Sequence, residues 1–424
     1  MKSSDMKRIA IVTTICPYPK NVGKSVVWGG IIDFLLEWPG AEVRIYSFEQ
    51  FPASFGAVVK PLHRPSQAQT LVNLIFDVAI RRKTSIQEAF FHSPDTARCL
   101  KSELAVFAPD TVVFDTVRTE QYAAEVVPPE SRVMTYLDDL FSVRYERVLD
   151  AMATGFDADK YVLGNFAEKL PGIARKVFMS SSWLRRAVLK FECKALQRSE
   201  LRAFAQSDVS LLISPSEVEV SRGLAPAANV LEIPPGMKPS EGVRKWNGSP
   251  EFVFLGSLTL AHNVTAVEWF LELCLPLVLK ERPDALFKII GKGSSPRIDA
   301  FARQYPDNVR QLGFVESIDE HLLQACCLIS PLLFGSGIKI KVIDALRCGI
   351  PVISSSIGAE GLHGIDEGAI TLAEGEKAFS LALLAMFTVD ANTKASTAAH
   401  AVFASYYSEV ATQARYRRIF AHQG

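Results

Sequence analysis

At 424 residues the chain is too long for one ordinary core, and two domains is the simplest partition. Hydrophobic residues make up 48% and charged residues 22%, enough apolar material to fill two cores and too much for a disordered chain. Lys+Arg and Asp+Glu each total 46, which excludes a global field that would draw the chain onto nucleic acid, so any anion has to be met locally.

The first segment, Met1-Lys2-Ser3-Ser4-Asp5, runs into a short apolar strand without the h-region of a secretory signal. That strand is predicted over 8–14, followed by a loop carrying Pro17, Pro19 and Gly23 and an apolar-periodic helix over 25–37, which makes a βα unit. Further strands read at 42–47, 111–114, 132–136 and 209–213, with helical stretches between them long enough for crossovers, so the sheet is expected to be parallel. Residues 231–250 turn rich in Pro, Gly and charge and read as an exposed linker. The alternation then restarts with a strand at 252–255, a helix at 264–280, a strand at 285–290 and a turn at Gly291-Lys292-Gly293. Strands at 309–312, 327–330 and 352–354 follow.

The expected fold class is α/β, two doubly wound domains at 1–235 and 236–405 with the carboxyl ends of their sheets facing a cleft, followed by a last helix within 406–424. Apolar stretches at 71–80 and 266–279 are interrupted by Asn73, Asp77, Glu268 and Glu272, so no bilayer span is expected. Seven scattered cysteines without CxxC spacing give neither a zinc site nor a disulfide framework. A cytoplasmic location is expected.

Gly23-Lys24-Ser25 ends like a P-loop, but Tyr18 stands where that motif needs glycine, which argues against an ATPase. Gly23 either lets substrate approach the backbone or merely completes a turn. Gly291 and Gly293 follow a strand, where they serve either a nucleotide or an ordinary βα turn. The strongest local signal is 331–353, which reads strand, glycine loop, helix, glycine stop, strand. Gly335 and Gly337 open the helix, Gly349 and Pro351 end it, and its first N–H groups form an anion site. Lys339 and Lys341 lie in or beside the first turn, where a cation opposes the helix dipole unless an anionic ligand is present.

In order and spacing, Phe254-Leu255-Gly256-Ser257, Ile290-Gly291-Lys292-Gly293, Leu312-Gly313-Phe314-Val315 and the 335–353 block resemble the donor domain of GT-B glycosyltransferases of family 4. The run ending Ser356-Ile357-Gly358-Ala359-Glu360-Gly361-Leu362 is similar to the bacterial envelope-polysaccharide members. The first half matches more loosely, through Pro17-Tyr18-Pro19, Gly23, Pro109-Asp110 and Asp138-Asp139. The resemblance implies two Rossmann-like domains, a nucleotide-diphosphate sugar as co-substrate in the C-terminal one, and no metal or other cofactor. It also implies a saccharide or lipid-linked acceptor mainly on the N-terminal domain, near Gly23 and Asp138, a last helix returning to that domain, and retention of configuration.

Carried over by position, the second acid of the family's Glu-x7-Glu motif falls on Asp344, which would bind the ribose hydroxyls, and the first falls on Ser336. Lys341 and Lys339 would meet the diphosphate. The basic pair usual after the first strand falls near Ser257 and Asn263, and Phe314 and Val315 would meet the base. Gly256, Gly291, Gly293, Gly335, Gly337 and Ile338 would flank the donor. Four positions keep two readings. Asp115 and Thr116 contact substrate or cap a helix; Asn263 lies near the phosphates, beside His262, or caps a helix; Glu360 touches substrate or is a solvated turn carboxylate. The basic amphipathic segment 175–202 lies on anionic lipid at the inner membrane face or packs its apolar side on the first domain. Two other functions remain open: a nucleotide-sugar 2-epimerase, for which no acid and histidine cluster is evident, and a non-catalytic sugar-binding partner, which Ser336 keeps possible.

Overall fold

The structure is a computed structural model and describes residues 7–20, 23–153, 176, 180–335 and 337–421. Ser336 and part of the basic segment, 175 and 177–179, lie outside the described residues. The chain divides into two compact units, Met1–Pro235 and Gly236–Gly424.

In the first unit β1 (Lys7–Thr13), β2 (Ala41–Ser47), β3 (Val58–Pro61), β4 (Thr111–Asp115), β5 (Arg132–Asp138), β6 (Val209–Leu212) and β7 (Val230–Glu232) form one sheet. Its order is β3-β2-β1-β4-β5-β6-β7, and every neighbouring pair is parallel. Both faces are covered, so Ile9, Ile11, Val12, Val112 and Val113 are all buried and the strands read as apolar runs without alternation. The strand order reverses between β1 and β4, the topological switch point where open α/β sheets bind ligands at their carboxyl ends. The helices that matter below are α1 (Gly23–Leu36), α2 (Gln67–Val72, continuing as a π-turn over Asn73–Ile80), α3 (Thr116–Glu120), α4 (Phe141–Ala153) and α5 (Ser182–Gln206). α5 packs Leu189, Leu196, Ala203 and Phe204 into the core of this unit, as one of the two readings of its segment expected.

The second unit repeats the plan. β8 (Glu251–Leu255), β9 (Leu286–Ile290), β10 (Val309–Gly313), β11 (Cys327–Ser330), β12 (Val352–Ser354) and β13 (Ile370–Leu372) lie in the order β10-β9-β8-β11-β12-β13, again all parallel. Along β8, Phe252 and Phe254 face one core cluster while Val253 and Leu255 face the other, the period of two that a strand imposes. Here the switch point lies between β8 and β11. It is approached by α6 (Ala261–Trp269) and α7 (Ile340–Arg347), and α8 (Glu409–Ala421) is the last helix.

Three differences from the sequence reading have simple causes. β3, β7 and β13 escape the sequence reading because edge strands of three or four residues carry too little apolar pattern. The stretch expected as an exposed linker is laced onto the second unit instead: Met237 N–H donates to the Tyr407 carbonyl at 2.8 Å and Lys245 N–H to the Leu323 carbonyl at 2.8 Å. Finally, α6 extends through a π-turn to give one continuous helix, Ala261–Glu281, which by length and composition alone is long and apolar enough to cross a membrane. Its Ala266, Val267, Phe270, Leu271, Cys274 and Val278 are buried in the second unit's core, the placement of a core helix.

Candidate functional site

The carboxyl edge of the second sheet is walled by glycines. Gly256 ends β8 and donates its N–H to the Ile290 carbonyl at 2.9 Å, and Gly291 ends β9 and donates to the Gly313 carbonyl at 2.8 Å. A Cβ on Gly291 would lie 2.0 Å from the Gly256 carbonyl oxygen, at a φ of +147° that side chains rarely adopt, so these strand ends approach as closely as backbone allows. Gly293, Gly335 and Gly337 also hold positive φ, which bends the β9 and β11 loops around the same edge.

Onto this edge α6 and α7 bring Asn263 and Lys341. The Lys341 Nζ donates to Asn263 Oδ1 at 3.0 Å and lies 4.2 Å from the centroid of the Phe254 ring. Asn263 Nδ2 in turn donates to the Ser257 carbonyl at 2.9 Å. Asn263 is therefore not a helix cap: Leu260 occupies that position, and the amide sits between a loop carbonyl and a lysine. Lys339 is the N-cap residue of α7, with no side-chain capping bond, and its Nζ donates to the Gly337 carbonyl.

Lys341 forms no ion pair among the described residues. Burial, and then the charge of Lys339, push its ammonium down to about 7. Burial, and then Lys341 and Lys339, push the neighbouring His262 down to about 4. In both groups the lysine charges add to the effect of burial, so each shift carries a contribution from positive neighbours. Such a pocket suits an anion.

Other positions named from sequence surround this point unevenly. Asp344, one turn on from Lys341, is engaged by Arg347, whose Nε lies 3.0 Å from Oδ1; burial raises its carboxyl above the usual range while Arg347 opposes that rise. Phe314 is 70% exposed, with the Lys292 Nζ 5.0 Å from its ring centroid, whereas the half-buried side chains of Val315 and Ile338 pack against the core. Ser257 is half-buried and shares a 2.8 Å hydrogen bond with Thr259, and Glu360 is half-buried in the turn after β12.

At the switch point of the first sheet the chemistry has the opposite sign. Asp115 ends β4 and is fully buried. Its Oδ2 accepts from Thr13 Oγ1 at 3.1 Å, Thr14 N at 3.0 Å and Thr14 Oγ1 at 2.7 Å, and its Oδ1 lies 2.6 Å from Lys24 Nζ. Burial alone would raise this carboxyl, but Lys24 and the Thr14 bonds outweigh it and hold it below the usual range. Asp115 occupies the N-cap position of α3 without making a side-chain capping bond; its Oδ2 is engaged by Thr13 and Thr14, and its Oδ1 faces the Lys24 ammonium. Thr116, the first residue of α3, and Asp138, the last of β5, hold positive φ of 63° and 72°, a conformation costly for non-glycine residues. The Tyr136 hydroxyl donates to Asp138 Oδ1 at 2.8 Å, burial and then Asp139 push the Asp138 carboxyl up, and Asp139 pairs with Arg144. Gly23 opens α1 beside Lys24.

Sequence reasoning missed Lys24, Thr13, Thr14 and Arg144. One signal was available: Lys24 lies in the first turn of its helix, where a cation opposes the dipole, which is the same argument that singled out Lys341.

Two doubly wound parallel sheets, each with its polar residues gathered at the switch point, define the GT-B class of fold. Solved structures of that class align over nearly the whole chain at identities that speak to fold alone. WaaG, a glycosyltransferase involved in lipopolysaccharide biosynthesis, is 14% identical and covers 98% of this chain and 100% of its own, with a TM-score of 0.55. A mutant of S. aureus TarM, in complex with fondaparinux, α-GlcNAc-glycerol and UDP, is 10% identical over 98% of this chain and 100% of its own, with a TM-score of 0.60. Residues 249–388 match the family model described as Glycosyl transferases group 1, so the second unit carries a glycosyl transferases group 1 domain. An uncharacterized 44.6 kDa protein in the cps region of Klebsiella pneumoniae is 33% identical over 136 residues, 30% of this chain and 34% of that protein, so the match spans about a third of that relative.

Proposed function

We propose that the chain is a glycosyltransferase that moves a sugar from a nucleoside-diphosphate sugar, bound on the second unit, to a saccharide or lipid-linked saccharide of the cell envelope, with retention of configuration. The observation that carries this reading is Lys341, a lysine pushed down to about 7 at a glycine-walled strand edge, with a neutral amide as its hydrogen-bond acceptor. Without a ligand that placement is costly, and a diphosphate would turn the cost into binding.

In this reading Lys341 and Lys339 hold the diphosphate, and Gly256 and Gly291 let it approach the backbone. Asp344 takes the ribose, and Phe314 and Val315 flank the base. As the bond between the sugar carbon and the phosphate oxygen breaks, negative charge grows on the leaving diphosphate, and the two lysines are already in position to stabilise it. On the first unit Asp138 and Gly23 lie on the acceptor side, and Asp115 is a positioning residue acting through Lys24. Retention and the envelope role are supported by the resemblance of 335–362, and a lipid-linked acceptor would bring the chain to a membrane surface. The UDP named in the TarM complex makes uridine the first base to try.

The experiment is incubation of the purified chain with a panel of nucleotide sugars, following nucleoside-diphosphate release and the anomeric signal of the first product by NMR. Release with retained configuration is expected. An inverted first product would overturn retention, and tight binding with no release from any member would make the chain a binding protein.

A further inference from the structure

Helix α2 and its π-turn present an apolar side to solvent. Amphipathic helices normally turn their apolar stripe to the core. Here the side that meets the protein carries Val78, which is buried, and Asn73, which is buried and donates to the carbonyls of Ala89 at 3.0 Å and His92 at 2.9 Å. The side that meets solvent carries Leu71, Val72, Ile75, Phe76 and Ile80, spaced as one helical face, with Leu71 59%, Phe76 48% and Ile80 64% exposed. The only charge among residues 67–80 is Asp77, which accepts from Arg81 at 3.2 Å. A contiguous apolar stripe of this kind on a soluble unit marks an interaction surface.

What borders the stripe is cationic. Arg81, Arg82 and Lys83 follow it directly and are exposed. The Arg82 carbonyl accepts from Arg198 Nη1 at 2.7 Å, which seats this end of the stripe beside α5. Along α5, Arg186, Lys190, Lys194 and Arg198 recur every fourth residue and are all exposed, while the acids Glu192 and Glu200 of the same helix point inward and are buried. Arg186, Lys190 and Lys194 form no ion pair among the described residues. The chain as a whole is neutral, so this concentration of charge is local.

We propose that α2 and its π-turn lie in the interface of an anionic phospholipid bilayer, with Leu71, Ile75, Phe76 and Ile80 at the acyl boundary and the cations of Arg81–Lys83 and α5 on the headgroup phosphates. The charge decides between this partner and a second copy of the chain: a two-fold contact through the same stripe would set two cationic borders against each other. The inference specifies the membrane contact raised above but uses neither donor nor acceptor, so its failure leaves glycosyl transfer untouched.

The test is co-sedimentation of the full chain with vesicles of phosphatidylcholine, alone or with about a third phosphatidylglycerol. Wild type is expected to bind the anionic vesicles, less so as salt rises. Ile75→Ser/Phe76→Ser should lower that partition by about tenfold or more, and Lys190→Gln/Lys194→Gln by roughly fivefold per charge removed. Both variants change exposed side chains and should keep the wild-type thermal melt. The proposal is overturned if wild type ignores anionic vesicles, if it binds neutral ones equally well, or if Ile75→Ser/Phe76→Ser binds like wild type. It is also overturned if wild type is a dimer that this variant separates, since the stripe would then belong to a second copy.

Discussion

The two sheets share one topology and place their polar residues at the same switch point, yet the two edges are built to opposite electrostatic plans. At the first, the acids Asp115 and Asp139 are matched by cations from nearby helices, Lys24 and Arg144, and Asp115 has both oxygens occupied. At the second, Lys341 lies against Phe254 and a neutral amide, and its field reaches a histidine. At the first edge the charges of Asp115 and Asp139 are paired within the chain. On the proposed function, the second is completed by an anion from outside. What the comparison teaches is that a shared scaffold fixes where a ligand can be met, while the charge left uncompensated there indicates which ligand it is.

If the first edge is self-compensated, breaking it should cost stability. Asp115→Ala strands the Lys24 ammonium in a largely buried site and removes the acceptor for Thr13 and Thr14, so the first unit should lose about 3–5 kcal/mol in urea denaturation. Lys24→Met combined with Asp115→Ala should lose clearly less than the sum of the single changes. Additive losses would mean that the pair is not coupled and that the contrast between the edges is false.

The second edge should respond the other way. Lys341→Ala removes a cation that the fold holds at a cost, so the thermal melt of the second unit should stay level or rise. Nucleoside-diphosphate affinity should fall about 10- to 100-fold, the roughly 1.5–3 kcal/mol of a charged hydrogen bond. Calorimetric titration of the folded variant decides it. Unchanged affinity would make Lys341 a structural lysine and would remove the anion from the comparison.

Much of the second edge was legible in the sequence, because its parts are local. Gly335, Gly337, Lys339, Lys341 and Asp344 lie within ten residues, and glycines ending successive strands announce themselves at Gly256, Gly291 and Gly313. The first edge was not legible to the same degree. Asp115 meets Thr14 from 101 residues away, and Lys24 reaches it from another helix, so only folding shows that the carboxylate is occupied. The capping reading of Asn263 stayed open because capping is a local preference, whereas its acceptor role depends on Lys341, 78 residues further on. The stripe on α2 was read for length against a membrane span and not for which face would be buried, since period alone does not say that Asn73 points inward.

The smallest expected effect sharpens the comparison most, because it separates charge from shape. Lys341 sits in the folded chain at about 7, well below an ordinary lysine. Between those two values the unfolded chain holds a proton that the folded chain has lost, so the stability contribution of this group rises with pH across that window. Donor binding should run the opposite way. A diphosphate prefers the ammonium form, so affinity should be flat below about pH 7 and fall above it, by roughly tenfold at pH 8 where about a tenth of the free sites still carry the proton. A nucleotide sugar is the right probe, because its diphosphate is esterified at both ends and does not titrate in this range. Calorimetry at pH 8 in buffers of different ionisation enthalpy should show proton uptake on binding, and Lys341→Met should abolish both the slope and the uptake. Affinity that stays level from pH 6 to pH 9 would mean that the diphosphate does not meet Lys341, and that the uncompensated charge of the second edge serves something other than the donor.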